Sequence, residues 1–325
     1  MSSRPLVSVI VIFLNEERFI QEAIDSVFAQ TYGNWELILV DDGSTDKSIE
    51  IAKQLALQYL QKVHYLEHPG HENRGMSASR NLGVRHAKGQ YISYLDGDDV
   101  WLPNKLDEQV AILEAHPEAA MVHGPLQMWF SWTGDPKDLH RDHLYGVKKN
   151  GNHPYHDTLI EPPMLLELFL KHEEYIPSGF LIKRDVMAQI GVYEEEFHDG
   201  YSDAVALVKV CLNFLVFVSS KSWYKYRKHP NSYTYLDYHF SSEENNNKLE
   251  HRYWSWIEHY FNEQGVTNPK LRTVLRKLLW RHHHPRLYRL KRNLFYNPKR
   301  LVASLIFRVK AKMSHSGKGV PLNPT

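Results

Sequence analysis

Residues 6–14 are apolar at every position but Ser8, the pattern of a strand buried on both faces. Asn15 stands where it can cap a helix, and Phe19, Ile20, Ala23, Ile24, Val27 and Phe28 then recur with helical period. A second apolar run, Trp35, Leu37, Ile38, Leu39 and Val40, predicts another buried strand that ends in Asp41 and Asp42. A helix over 47–60, a short strand near 63–66 and a helix over 75–87 follow. Residues 91–95 then form a strand that runs into Asp96, Asp98 and Asp99, with Tyr91, Ser93 and Leu95 on one face and Ile92 and Tyr94 on the other. Pro103 suits the first turn of a helix carrying Leu106, Val110 and Leu113, stopped by His116-Pro117. Strands alternating with helices predict a parallel α/β sheet. Two of its strands end in aspartates on one rim, where open sheets of this kind keep their ligand crevice.

The period is lost over 121–160, a stretch rich in Trp, Tyr, His, Gly and Pro with Trp129, Phe130 and Trp132 close together. It reads as one long aromatic loop, a binding wall more than a cover for the sheet edge. A helix is expected over 162–172, a strand over 179–183 and a helix or buried strand over 203–211. Beyond Tyr235 the chain turns helical and basic.

Composition adds bounds. The 325 residues are 42% hydrophobic and 24% charged, as in a globular protein, and the lone Cys211 excludes an internal disulfide framework and reads as a core residue. No stretch reaches the ~20 apolar residues that span a bilayer. Asn15-Glu16-Glu17-Arg18 follows the first apolar run where a signal peptide would have small residues, so a cytosolic location is expected. The net charge of +1 hides an asymmetry: 264–325 holds 15 Lys and Arg and no Asp or Glu, leaving 24 basic against 38 acidic residues before it.

Asp96 and Asp98, two apart across Gly97, can aim hard oxygen ligands at one point. A divalent cation with a phosphate-bearing substrate would fit there, and so would a plain solvated acidic turn. No Gly-x-Gly-x-x-Gly follows the first strand and no P-loop is present, which disfavours a dehydrogenase or a P-loop enzyme.

Four blocks occur in order: Val7-Ser8-Val9-Ile10 through Asn15, Val40-Asp41-Asp42-Gly43-Ser44-Thr45-Asp46, Ser79-Arg80-Asn81-Leu82-Gly83, and Tyr94-Leu95-Asp96-Gly97-Asp98-Asp99 with Trp101-Leu102-Pro103-Asn104-Lys105-Leu106. Together they resemble glycosyltransferase family 2 over roughly residues 5–235. The resemblance implies an α/β fold of the GT-A type, a Rossmann-like, mostly parallel sheet flanked by helices, here with a C-terminal helical basic extension. The catalytic domain is expected over 1–235 and the extension over 236–325. The implied activity is transfer of a sugar, with inversion, from a nucleotide-diphosphate sugar to a glycan or lipid-linked acceptor with Mg²⁺ or Mn²⁺. A non-catalytic nucleotide-sugar-binding relative and a nucleotidyltransferase are the alternatives.

By the same resemblance Asp42 contacts the nucleobase or ribose, with Asn15 beside it. Arg80 holds a phosphate, Asp98 is the main metal contact, and Asp96 reaches the metal shell or the donor ribose. In Gly200-Tyr201-Ser202-Asp203-Ala204 the resemblance makes Asp203 the general base, although Ser202 replaces the usual glutamate. Tyr226-Arg227-Lys228-His229-Pro230-Asn231-Ser232 resembles the family's Arg-x-His-x-x-Ser segment, in which Arg227 and His229 close over the diphosphate. The first strand ends Ile12-Phe13-Leu14-Asn15 in place of Pro-Thr-Tyr-Asn, so backbone groups there take over from side-chain hydroxyls.

The basic residues of 264–325, Arg272, Arg276, Lys277, Arg281, Arg286, Arg289, Lys291 and Arg292 among them, are interleaved with leucines. They suit either an anionic membrane surface at the inner face of a membrane or a helical subdomain packed on the body. Nucleic acid is not expected as a partner. His282-His283-His284 reads as surface.

Overall fold

β1 (Val7–Phe13) is buried at all seven positions and lies between β2 (Trp35–Asp41) and β4 (Tyr91–Asp96), parallel to both. β3 (Val63–Glu67) extends this half in parallel as the edge strand. The computed structural model describes residues 4–146, 155–171, 179–198, 200–233, 235, 243–284 and 287–288. Side chains alternate as the sequence predicts. Ile10, Ile12, Ile38, Val40, Ile92 and Tyr94 enter one apolar cluster, whereas Val9, Val11, Leu37, Leu39, Tyr91 and Leu95 enter another on the opposite face. Helices α1 (Ile20–Phe28), α2 (Ser48–Gln58), α3 (Gly75–His86) and α4 (Lys105–Ala115) follow the expected spans to within a few residues. Asn15 does not cap α1, which starts five residues later; it adopts φ 57° and bonds to the β2 loop instead.

Beyond β4 the sheet continues as β10 (Leu181–Lys183), β6 (Met121–His123), β11 (Val216–Val218) and β9 (Thr158–Ile160), giving the order β3-β2-β1-β4-β10-β6-β11-β9. β10 runs antiparallel to both neighbours, so the sheet is mixed, with parallel pairs in the majority. The stretch 121–160 is not one long loop. It supplies β6 and β9 to this sheet, and β7 (Leu126–Trp129) and β8 (His143–Tyr145) to a second one, ordered β5-β12-β7-β8. The other members are β5 (Val100–Trp101) and β12 (Tyr224–Arg227). Strands of two to four residues are too short to display an alternating period, which is why the sequence reads as irregular there.

α5 (Met164–Leu170) and α6 (Arg184–Gln189) flank the second half, and residues 203–211 fall in a helix, α7 (Ser202–Asn213), where the buried Cys211 sits. α8 (Glu243–Glu263) and α9 (Pro269–His283) turn Tyr253, Trp254, Ile257, Phe261, Leu271, Leu275 and Leu279 into the same apolar cluster as Ile10 and Ile92. The leucines of the first part of the basic segment therefore face the body. Arg286, Arg289, Lys291 and Arg292 lie outside the described residues. Of the three consecutive histidines, His282 is not simply surface: it stacks on His251 of α8 at 5.2 Å. Among the described residues no helix is long and apolar enough to cross a membrane.

α3 lies unusually close to β1. A Cβ built at Gly83 would come within 2.5 Å of Cγ2 of Ile10, a side chain with no exposed surface. Gly83→Ala should therefore destabilise the protein by roughly 1–3 kcal/mol, the usual cost of overpacking a core. The check is a lower urea midpoint with an unchanged m-value.

Candidate active site

The carboxyl ends of β1, β2 and β4 deliver their loops to one rim. At the end of β4, Gly97 donates its N–H to the Ile12 carbonyl at 3.1 Å, and a Cβ there would meet Cβ of Phe13 at 2.8 Å. Only glycine lets the acidic turn lie this close to β1. The turn then divides its carboxylates. Asp99 points inward, fully buried, and accepts hydrogen bonds from the Tyr224 hydroxyl and from Arg227 N at 2.7 Å. Burial first, then Asp98 and Asp96, push its pKa well up. Asp98 keeps 16% of its side chain exposed and has His229 Nε2 at 3.0 Å.

Arg227 and His229 converge on this turn, but Arg227 is buried. Its Nε donates to the Asp98 carbonyl at 2.7 Å, its Nη2 donates to Glu22 at 2.6 Å, and the rings of Phe19, Trp129 and Trp132 surround it. It braces the turn from behind.

Arg80, on α3, is also buried. Nη2 donates to Asp96 Oδ1 at 3.0 Å, Nη1 donates to Ser202 Oγ at 3.2 Å, and Nη1 lies 3.1 Å from Asp203 Oδ1. Burial works against its charge, but Asp203 and Asp96 outweigh burial and raise its pKa. Here the guanidinium expected to hold a phosphate joins two candidate site carboxylates. Asp203 is the second residue of α7; its Oδ1 is inaccessible although a third of the side chain is exposed. Ser202, in place of the family's glutamate, lies buried and also accepts the Ser77 hydroxyl at 2.8 Å. Asp96 is raised to about 6 by burial, with Arg80 pulling it down and Asp203 and Asp98 pushing it up.

Asp42 and Asn15 lie on the β2 side. Asp42 caps α3 from another strand: its carboxylate accepts Arg74 N at 2.8 Å, Gly75 N at 3.0 Å and the Ser79 hydroxyl at 3.0 Å. Asp41 takes the local turn, accepting Ser44 N at 2.9 Å. Asn15 accepts Thr45 N at 2.7 Å, and its own N–H donates to Ser44 Oγ. Loops after β1, β2 and β3 are thus tied together beside the acidic turn.

Sequence reasoning missed Glu16. Burial, then Asp98, Asp46 and Asp96, raise its pKa to about 8. Its only local signal is position, next to Asn15; the burial comes from the fold, which sets its Cγ 3.4 Å from a Cβ built at Gly97. Burial and the crowding of Glu16, Asp96, Asp98, Asp99 and Asp203 beside Arg80 and Arg227 raise three of these five carboxyls, Glu16, Asp96 and Asp99. Asp96 and Asp98 are hard oxygen donors of the kind that Mg²⁺ or Mn²⁺ takes.

Comparison with known proteins bears on this rim. Residues 8–191 match the model of the family described as Glycosyl transferase family 2. The chain is 46% identical over 116 residues to the putative glycosyltransferase EpsE of Bacillus subtilis (strain 168), a segment covering 36% of this chain and 41% of that protein. It is 44% identical over 109 residues to the uncharacterized glycosyltransferase RP339 of Rickettsia prowazekii (strain Madrid E), covering 34% and 32%. The match thus spans less than half the length of either relative. Among solved structures, S. aureus TarS 1-349 in complex with UDP-GlcNAc is similar with a TM-score of 0.62 at 19% identity, covering 86% of this chain and 72% of that one. Mannosyltransferase PcManGT from Pyrobaculum calidifontis in complex with GDP-Man and Mn²⁺ gives 0.53 at 17% identity, covering 98% and 77%. At such identities the likeness is one of fold.

The raised carboxyls have a consequence for stability. Glu16 titrates near 4.5 when unfolded and near 8 when folded, so the native state holds the extra proton between those values. Stability then falls as pH rises through that window. In metal-free buffer the urea midpoint should drop between pH 5 and pH 8, and Glu16→Gln should flatten the drop and raise the midpoint at pH 8.

Proposed function

The chain belongs to glycosyl transferase family 2 and is a glycosyltransferase, and on that premise we propose that it moves a sugar from a nucleotide-diphosphate sugar to an acceptor hydroxyl with inversion. The observation that carries this reading is the fork of Arg80, which sets the candidate base Asp203 and the candidate metal-side carboxylate Asp96 on one buried cation. In an in-line displacement the diphosphate departs on one side of the anomeric carbon while an alcohol arrives on the other. The C–O bond to the diphosphate breaks, the new glycosidic bond forms, and the alcohol proton passes to Asp203. Asp203 keeps a third of its side chain exposed, and Arg80 lies 3.1 Å from its Oδ1. Positioned base catalysis of this kind is worth about 10²–10⁴-fold.

Asp96 and Asp98 would hold Mg²⁺ or Mn²⁺, which neutralises charge building on the leaving diphosphate. His229 orients Asp98, and Arg227 with Asp99 keeps the turn rigid. Asn15, Asp42 and the loop after β3 line the nucleoside side. The acceptor is a glycan or lipid-linked alcohol, in polysaccharide or cell-envelope glycan synthesis. The basic residues of 264–325 bring an anionic membrane surface near the inner face of a membrane, where the cytoplasmic protein is peripheral.

Asp203→Asn should lower turnover by about 10²–10⁴-fold while the affinity for nucleoside diphosphate, measured by calorimetry, stays within about two-fold; undiminished sugar transfer removes Asp203 from the role. EDTA should stop release of nucleoside diphosphate from the donor, and Mn²⁺ should restore it. Asp98→Asn should raise the Mn²⁺ concentration needed for half-maximal recovery by at least about ten-fold.

A further inference from the structure

His71, at the end of the turn after β3, takes no part in the reaction above, yet both its ring nitrogens face oxygens. Nε2 lies 2.7 Å from the Ser44 carbonyl, an acceptor only, so that nitrogen must carry a proton. Nδ1 faces carboxylates, Glu67 at 3.4 Å and Asp41 at 3.8 Å. In neutral imidazole the Nδ1 lone pair would oppose them, whereas imidazolium satisfies both sides. The Tyr65 hydroxyl has one proton and two carboxylate oxygens at 2.8 Å, on Asp41 and Glu67, so positive charge is short at this junction. Lys53 from α2 approaches Glu67 at 3.3 Å and covers the Tyr65 ring. His68, on the same turn, faces Ser79 and Asp42, and burial lowers its pKa. The Ser44 bond first, then Asp41 and Glu67, raise that of His71.

The segments that His71 joins form the nucleoside side of the rim. Asp41 holds Ser44 N while His71 holds Ser44 O. A Cβ at Gly43 would strike Asn73 N at 2.8 Å, so the two loops meet backbone to backbone. Asn15 binds the same segment through Ser44 Oγ and Thr45 N. We propose that His71 is a positioning residue for the donor: as imidazolium it clasps the loop after β3 to the loop after β2 and sets the width of the nucleoside crevice. Loss of its proton releases the clasp and weakens donor binding. This rests on the donor side assigned above.

The test is calorimetric titration of UDP, GDP, ADP, CDP and dTDP, with Mn²⁺, into the wild-type protein and His71→Gln at pH 6 and pH 9. Glutamine can still donate to Ser44 but carries no charge. For any nucleotide that binds, the ratio of variant to wild-type Kd should be about ten at pH 6 and fall to about one at pH 9; taking the ratio cancels the nucleotide's own ionisation. A ratio equal at both pH values makes His71 a packing residue and overturns the proposal. So does a ratio near one at pH 6 in EDTA-treated protein that still binds the nucleotide without Mn²⁺, because a metal ion and not a proton would then fill the gap. Failure of all five nucleotides to bind at either pH removes the crevice and this role with it. Sugar transfer is not read, so a protein that transfers nothing but shows the falling ratio keeps the role of His71 and loses only the reaction.

Discussion

One guanidinium organises the rim. Arg80 leaves α3 with no route to solvent and meets Asp96 on one side and Asp203 on the other. Those carboxylates are 107 positions apart in the chain and belong to different elements, so nothing local fixes their separation. A planar fork does, because its nitrogens cannot move independently. Buried ion pairs add little net stability but specify geometry where the surrounding shell is rigid. Here α3 is pressed on β1 through Gly83, and Ser202 supplies a further hydroxyl, so the fork itself is held.

The other half of the rim depends on a different cation. Arg227 is enclosed by Phe19, Trp129 and Trp132 and reaches the carbonyl of Asp98, while its own N–H and the Tyr224 hydroxyl take up Asp99. The acidic turn emerges from the large sheet but is anchored by the small one. Of its three aspartates, Asp99 is committed inward, Asp96 to Arg80, and Asp98 to His229 with part of its surface open. Burial first, and then the crowding of like charge, raise Asp96 to about 6 and Glu16 to about 8, as is common at functional sites.

What the chain discloses by inspection depends on length and locality. β1, β2 and β4 are six or seven residues long and almost wholly buried, so their apolar runs are unmistakable. The helices between them keep a 3.6-residue period, and the four family blocks lie on these same elements. The short strands of the small sheet have no room for a period, and they fell into an apparent loop. Candidate residues were visible as types in motifs, but their partners were not. Arg80 finds Ser202 across 122 positions, and Glu16 owes its environment to a turn some 80 residues on. Asn15 looked like a cap because it precedes a helical pattern, whereas its left-handed backbone sends it to the neighbouring loop. Asp41 and Asp42 are adjacent, but one serves its own turn and the other a helix 33 residues away.

β6 and β10 are neighbours in the sheet although 57 residues separate them, and their pairing is antiparallel. The chain therefore leaves and returns at one doorway, and everything between, β7, β8, β9 and α5 included, is a detour whose two ends are fastened side by side. Lengthening or exchanging such a detour does not shift the register of β1, β2 or β4, since insertions between fixed ends cost little. Outside β7, whose Trp129 covers Arg227, that detour can change in length and composition while the three central strands keep their pairing.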